Sequence, residues 1–143
     1  MSIKQISVFV ENKTGRMTEI TEVIGAAGVD IRALSIADTS DFGILRLIVN
    51  KPDVAVAALK GAGLTVSLTD VIAVGVDDKP GEFAKAMRTM SEADMSIEYM
   101  YAFIGRSDDR AFVILRVEVP ERAAEVLAAA GFEILSGEQI YNM

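Results

Sequence analysis

Two short loops, VENKTGRM at residues 10–17 and VDDKPGEF at residues 76–83, carry the residue types best suited to binding a charged small molecule. In each, a glycine precedes a run that predicts a helix, whose first backbone N–H groups have no intrahelical partner and carry partial positive charge. A carboxylate or phosphate can dock there, and glycine lets it approach the backbone closely. Lys13 and Arg16 add positive charge to the first loop, and Asn12 offers both a donor and an acceptor. This combination suits a ligand that carries an amine beside a carboxylate.

The same residues also have a purely structural interpretation. Thr14 or Asn12 can cap the helix, and the glycine can simply fit the turn. The occurrence of the loop at the same place in two halves of the chain favours binding. NKTGRM is net cationic and DDKPGE is net anionic. We therefore expect a carboxylate to prefer the first loop, with the second weaker or structural.

Composition removes several classes of function. The 143 residues include no His and no Cys, which excludes a Ser–His or Cys–His nucleophile and a metal held by imidazole or thiolate. No loop has the spacing of a calcium site, and we expect no metal and no cofactor. The net charge of −7 argues against nucleic acid, whose phosphates need a basic patch. No apolar run approaches the roughly 20 residues that span a bilayer, and no signal-peptide pattern opens the sequence. We expect a cytoplasmic protein with no membrane partner.

An internal repeat divides the chain. Gly81 follows Gly15 by 66 residues, and the strand residues Ile6, Val8 and Val10 recur at the same spacing as Ile72, Val74 and Val76. Later the segment LRLIV at 45–49 aligns with LRVEV at 115–119, because the hairpin IGRSDDR lengthens the second copy. The repeat predicts two domains, residues 1–68 and residues 69–143.

Each half predicts the same order of elements. Alternating apolar residues predict the first strand, a 3.6-residue stripe predicts the first helix, and SDFG predicts a turn between the next two strands. Pro52 and Pro120 suit the first turn of a second helix. The order strand, helix, strand, strand, helix, strand is that of a ferredoxin-like sandwich. We predict an α+β protein of two ferredoxin-like βαββαβ domains in tandem, with antiparallel sheets and helices on one face.

The face of the sheet without helices also needs a cover. Phe9, Ile44 and Ile48 are predicted to lie on it, and an exposed apolar face predicts a homodimer or higher oligomer. Tyr99 and Tyr101 share one face of a strand in the second half. They are interpreted either as packing residues or as the wall of a ligand pocket.

The two loops with their following helices, ENKTGRMTEITEVIGAAGVDI and DDKPGEFAKAMRTMSEADMSI, resemble the signature of the ACT domain. The resemblance extends over essentially the whole chain, as two ACT-like domains in tandem. The second loop keeps the Pro80–Gly81 pair, whereas Thr14 replaces the proline in the first. The chain is similar to small stand-alone tandem ACT proteins, which implies a regulatory, allosteric role and amino-acid binding at the interface between paired domains.

The resemblance also implies positions for a ligand. A polar residue three before the glycine, Asn12 or Asp78, contacts it, and a polar residue opening the second strand of the partner domain, Asp30 or Ser96, completes the site. Serine-binding members use a histidine where Val10 and Val76 stand here, a departure that concerns the specificity for serine and not amino-acid binding as such. If the domains pair through their second strands, the opening of the second half's strand faces the first loop. The predicted ligand-binding residues are Asn12, Lys13, Thr14, Gly15, Arg16, Met17, Asp30, Asp78, Pro80, Gly81, Ser96, Glu98 and Tyr99.

Three functions remain open from the sequence. The first is a regulatory protein that binds a free amino acid and acts on itself, on a metabolic enzyme or on another regulator. The second is an interaction module without a ligand, which the substitution of Thr14 for proline favours. The third is a small carboxylate-dependent enzyme using Asp77–Asp78 or Asp108–Asp109. We expect no catalytic residues.

Overall fold

The computed structural model describes residues 3–38, 41–103 and 109–142. Two predicted turns fall partly outside these ranges: Ser40 of the SDFG turn and residues 104–108 of the IGRSDDR hairpin. Within the described ranges no helix is long and apolar enough to cross a membrane.

The predicted order of elements is confirmed, and the protein is an α+β fold with antiparallel strands. The first half contains β1 (Ile3–Glu11), α1 (Arg16–Ala26), β2 (Ile31–Asp38), β3 (Phe42–Val49) and α2 (Pro52–Gly61). The chain continues through β4 (Thr65–Asp77), α3 (Glu82–Glu92), β5 (Ile97–Ala102), β6 (Arg110–Val117), α4 (Pro120–Ala129), β7 (Glu133–Leu135) and α5 (Gly137–Tyr141). The strand order β2-β3-β1-β4-β6-β5, with β7 also on β4, places β4 between the halves.

Strand β4 is one continuous strand where two were predicted. Residues 65–71 pair with β1, and residues 72–77 pair with β6, so the partner changes between Val71 and Ile72. The predicted boundary between residues 68 and 69 lies inside this strand. The sequence TVSLTDVIAV contains no Gly or Pro that would interrupt it, which explains why the last strand of one half runs into the first strand of the next.

Each half has its own core on the helix-covered face of its sheet. In the first half the strand residues Ile6, Val8 and Leu47 pack against Ile20 and Ile24 of α1. In the second half the equivalent core joins strand residues to α3 and α4. Both α2 and α4 begin with a proline in the first turn, where its missing N–H costs no helix bond.

A third core lies between the halves, formed by the two sheet faces that carry no long helix. Each of the seven strands and α5 contributes at least one residue that lies in this core or packs against it. The fully buried residues of this core include Ile3, Ala33, Ile48, Val71, Ala73 and Ile114. An isolated antiparallel bridge between Ala33 and Phe103 also brings β2 next to the end of β5. The expectation that Ile48 faces a partner molecule is therefore wrong, because the second half of the same chain covers it.

Helix α5 was not predicted. Ser136 caps it by accepting from the Gln139 amide, while the Gln139 side chain accepts from the Ser136 amide. The spacing S-x-x-Q is the sequence signature of such a capping box and could have located the helix. Ile140 of this short helix is fully buried in the core between the halves.

One polar cluster interrupts this apolar contact between the halves. Gln5 is fully buried, and its amide nitrogen donates to the Tyr99 hydroxyl at 2.8 Å, while the Tyr101 hydroxyl donates to its amide oxygen at 2.6 Å. The guanidinium carbon of Arg46 lies 3.6 Å from the centre of the Tyr99 ring. Burial raises the pKa of Tyr101, so its hydroxyl stays protonated and able to donate. We name Gln5, Arg46, Tyr99 and Tyr101 the Gln5 cluster.

We expect Gln5→Leu to lower the free energy of unfolding by about 1–3 kcal/mol, because it leaves two hydroxyls between the halves without their amide partner. Urea unfolding followed by circular dichroism measures the loss. Tyr101→Phe removes only one of these bonds, so its effect should be smaller. A Gln5→Leu protein as stable as the wild type would contradict the importance of the cluster.

Candidate functional site

The two glycine loops have the same backbone geometry in both halves. In the first, the Lys13 amide donates to the Glu11 carbonyl at 2.8 Å, and the Arg16 amide donates to the Lys13 carbonyl at 3.2 Å. In the second loop the corresponding bonds, 66 residues later, are 2.9 Å and 3.2 Å. The backbone amide of Asn12 also donates to the backbone carbonyl of Asp41 at 2.9 Å, so the first loop is hydrogen-bonded to the residue just before β3. The repeat therefore extends from sequence to individual hydrogen bonds.

Helices α1 and α3 both begin at a glycine in the left-handed region. Gly15 has φ of 90° and Gly81 has φ of 88°, and as N-cap residues these glycines have no side chain with which to cap the helix. Gly15, rather than Thr14 or Asn12, occupies the N-cap position of α1. A Cβ built on either glycine would meet no atom within 4 Å, so the space beside each helix start is open. The first-turn amides of both helices are therefore candidate positions for an anion.

The positive charges of the first loop are already paired inside the loop. Lys13 lies 2.8 Å from the Glu11 carboxylate, and Arg16 lies 3.1 Å from Glu19 and 3.7 Å from Glu11. The Lys13 ammonium and the Arg16 guanidinium hold the pKa of Glu11 below its usual range. The loop is thus less cationic than the segment NKTGRM alone predicted, because Glu11 and Glu19 flank it. Met17, the next predicted residue, packs partly buried against the first core.

The ion pairs beside the second loop differ from those of the first loop. Its Asp78 amide donates to the Asp109 carbonyl at 2.8 Å, and both Asp78 and Pro80 are exposed. Arg110 bridges Asp77 and Glu133 at 2.9 Å and 2.8 Å. Asp77, one of the acids considered for catalysis, is therefore in an ion pair, and Asp108 lies outside the described residues.

The predicted residues at the openings of β2 and β5 have partners of their own. Asp30 lies 2.6 Å from Arg32, and its amide donates to the Asn50 side chain. Glu98 lies 3.1 Å from Arg116, whereas the exposed Ser96 lines a shallow concavity of about 200 Å³ with Glu118 and Arg122. Tyr99 belongs to the Gln5 cluster between the halves. Its position supports the packing interpretation of the tyrosines.

Sequence reasoning did not single out Gln5 or Phe42. Gln5 could have been noticed as a polar residue between Ile3 and Phe9 on the helix-free side of β1. Phe42 lies on that same side of the sheet, where its ring centre is 5.0 Å from that of Phe9. Phe42 directly follows a predicted turn, and the side of the sheet on which a residue lies is hardest to assign at the end of a strand.

The family assignment follows from the whole chain, since the family described as an ACT domain pair matches residues 1–143. The chain belongs to this family. The two tandem ACT domains that the sequence predicted are thereby confirmed. An ACT domain pair is a regulatory module. No curated protein is significantly similar to the chain in sequence.

Solved structures share the fold of this ACT domain pair. A protein of Bacteroides thetaiotaomicron is 38% identical in sequence and superposes with a TM-score of 0.93. The match covers 100% of this chain and 98% of the Bacteroides chain. The ligand-free regulatory subunit of aspartate kinase from Thermus thermophilus is 19% identical with a TM-score of 0.66, covering 91% and 93% of the two chains. The corresponding subunit from Thermus flavus is 18% identical with a TM-score of 0.62 and the same coverage. At this identity the two Thermus structures show the fold alone.

We expect Gly15→Ala to lower the free energy of unfolding by about 1–2 kcal/mol, because a Cβ disfavours the left-handed conformation at this position. Gly25→Ala is the matched control: it lies inside α1 with open space around it, and should raise stability by about 0.5–1 kcal/mol. Thermal and urea unfolding measure both. Equal effects of the same sign would contradict the assigned backbone geometry.

We expect the Glu11 carboxylate to titrate below its usual range, since Lys13 and Arg16 favour its charged form. A depressed folded-state pKa stabilises the protein above the unfolded pKa, and this contribution disappears as the pH falls through the folded pKa. Carbon-13 NMR of the side-chain carboxyl measures the pKa. Lys13→Ala and high salt should each move it back upward; a pKa insensitive to both would contradict the pairing.

Proposed function

We propose that this ACT domain pair is a cytoplasmic regulatory protein that binds a free amino acid at an interface between ACT domains and responds by an allosteric change of arrangement. The observation that carries the proposal is the pair of helix starts at Gly15 and Gly81, where a left-handed glycine occupies the N-cap position and has open space beside it. Family membership supports a regulatory role. Binding has a regulatory effect only when the ligand favours one arrangement of the domains over another.

The two charged groups of an amino acid have separate partners in this proposal. The carboxylate lies at the first turn of α1 near Gly15, Arg16 and Met17, with Asn12 and Lys13 beside it and Thr14 in the turn. The ammonium group approaches a carboxylate from the opening of a second strand of the paired domain: Glu98, with Ser96 as a polar neighbour, for the first loop, and Asp30 for the second. The second loop, with Asp78, Pro80 and Gly81, is the weaker site. Tyr99 belongs to the Gln5 cluster and is not assigned a contact with the ligand.

The target of the regulation is part of the proposal. The Thermus structures with this fold are regulatory subunits of aspartate kinase. By analogy we propose that the present chain acts on a separate metabolic enzyme or on another regulator.

A second candidate is an interaction module without a ligand. The observation that favours it is the internal pairing of Lys13 and Arg16 with Glu11 and Glu19, which reduces the attraction of the first loop for a carboxylate. A ligand carboxylate would have to compete with these exposed pairs, which are individually weak.

We expect one or a few amino acids to raise the melting temperature selectively in a thermal-shift screen. A ligand at 100 times its dissociation constant should add about 2.7 kcal/mol of stability. Asn12→Ala should weaken binding of that amino acid about tenfold in titration calorimetry, while the equivalent change Asp78→Ala should leave it nearly unchanged, because the first loop is the stronger site.

The remaining outcomes separate the alternatives. Loss of binding in Asp78→Ala but not in Asn12→Ala would keep amino-acid binding and move the site to the second loop. The absence of any shift with every amino acid would contradict the proposal and favour the interaction module.

A further inference from the structure

Arg46 of the Gln5 cluster carries a positive charge that no acid of the described chain balances. Its side chain is half-buried, and its guanidinium carbon lies 3.6 Å from the centre of the Tyr99 ring. Within residues 3–38, 41–103 and 109–142 it forms no ion pair and donates no side-chain hydrogen bond. A tyrosine ring attracts a guanidinium through its face, but this contact leaves the N–H groups at the edge of the guanidinium without acceptors. Because a partly buried charge is normally paired, these donors are available to an anion from outside the chain.

The equivalent arginine of the second half has the partners that Arg46 lacks. By the repeat, Arg46 corresponds to Arg116. Arg116 lies 3.1 Å from the Glu98 carboxylate and donates to the Asp70 carbonyl at 2.8 Å. The residue of the first half that corresponds to Glu98 is Arg32, a second cation. The first half therefore has no acid at the position where the second half neutralises its strand arginine.

Serine hydroxyls flank Arg46 across the sheet. Ser35 of β2 and Ser7 of β1 are the direct strand neighbours of Arg46 on β3. Ser67 of β4 pairs with Ser7, so all four residues lie side by side on the helix-free face, and we name them the Arg46 row. The Ser7 oxygen accepts from the Gln5 side-chain amide at 3.1 Å, which leaves the hydroxyl proton of Ser7 available to donate. A guanidinium beside hydroxyl donors is a combination that binds a carboxylate or a phosphate.

A largely apolar concavity adjoins the Arg46 row. Its volume is about 190 Å³, and it is lined by Ser7, Phe9, Ile44, Thr65, Val66 and Ser67. Phe9 is 49% exposed and Ile44 is 38% exposed, so an apolar group that packs on them is removed from water together with both side chains. No carboxylate of a described residue lines this space, which therefore offers no partner to an ammonium group. The concavity favours an anion with an apolar body over an amino acid.

We propose that the Arg46 row and this concavity form a second ligand site, for a small molecule that carries a carboxylate or phosphate on an apolar body and has no amino group. The oxyanion accepts from Arg46 and from the serine hydroxyls, and the apolar body packs on Phe9. Tyr99, which holds Arg46, belongs to the second half, so the site is complete only when the halves pack as they do here. The site shares no residue with either glycine loop. The inference therefore holds whether or not the first loop binds an amino acid.

A proton–nitrogen NMR titration of the labelled full chain with phenylacetate and with phenyl phosphate tests the proposal. At least one of these anions should shift the amides of residues 7, 35, 46 and 67, and the tighter one identifies the preferred headgroup. Arg46→Met should raise its dissociation constant at least about tenfold, because the variant loses the charge-assisted hydrogen bonds to the oxyanion. Arg116→Met is the matched control and should leave the dissociation constant nearly unchanged, since Arg116 is already paired with Glu98. Asn12→Ala should also leave it unchanged, which separates this site from the first loop.

Two matched probes show which parts of the ligand are recognised. Phenylacetamide has the body of phenylacetate without its charge, and phenylglycine adds an amino group to phenylacetate. Both should shift the amides of the Arg46 row less than phenylacetate does at the same concentration. The first has no anion for the guanidinium, and the second has an ammonium group without a partner.

Three results would overturn the proposal. These are amides of the Arg46 row that respond to neither anion, an Arg46→Met protein that binds the anion as tightly as the wild type, and a phenylacetamide that binds the row as tightly as the better anion. Circular dichroism verifies that each variant folds. Should Arg46→Met unfold, Ser67→Glu carries the test, because Ser67 is exposed and a carboxylate there should repel the anion and weaken its binding at least about tenfold.

Discussion

The continuity of β4 is the constraint on which the rest of the structure depends. Side chains alternate along a strand, so residues 71, 73 and 75 point to the same side across the point where the pairing partner changes. The helix-free faces of both sheets therefore begin on one side of a single strand. Each is apolar at this junction, and neither has a long helix to cover it. Packing of one face on the other follows, with α5 at its margin.

Apolar packing alone does not define how two such faces are aligned, because hydrophobic contact is not directional. The Gln5 cluster supplies directional contacts. Gln5 belongs to β1 and its tyrosine partners to β5, so the hydrogen bonds form only in one alignment of the halves. A ligand that changes this alignment must break or replace those bonds. The cluster thus links any rearrangement of the domains to the opening of β5, where Ser96 and Glu98 were predicted to bind ligand.

The sequence was most informative where a local pattern has one physical meaning. Alternation in β1, the apolar stripe of α1 and the glycine before each helix located those elements and the candidate site. The continuity of β4 was missed because the repeat predicts the last strand of one half and the first strand of the next as separate strands. They form one strand because no Gly or Pro separates them. The burial of Ile48 was missed for a different reason, because it depends on a distance between segments, which a single sequence does not contain. The pairing of Lys13 with Glu11 is local, and it was missed because the charge of NKTGRM was counted without the acids that flank it.

The central claim is that the start of α1 receives the carboxylate of an amino acid. The most direct test is a proton–nitrogen NMR spectrum of the labelled protein recorded with and without an equimolar mixture of the amino acids. The account predicts shifts concentrated at the amides of residues 15–18, larger than those at residues 81–84. A spectrum in which the amides of residues 15–18 do not move, at any amino-acid concentration tested, would contradict it.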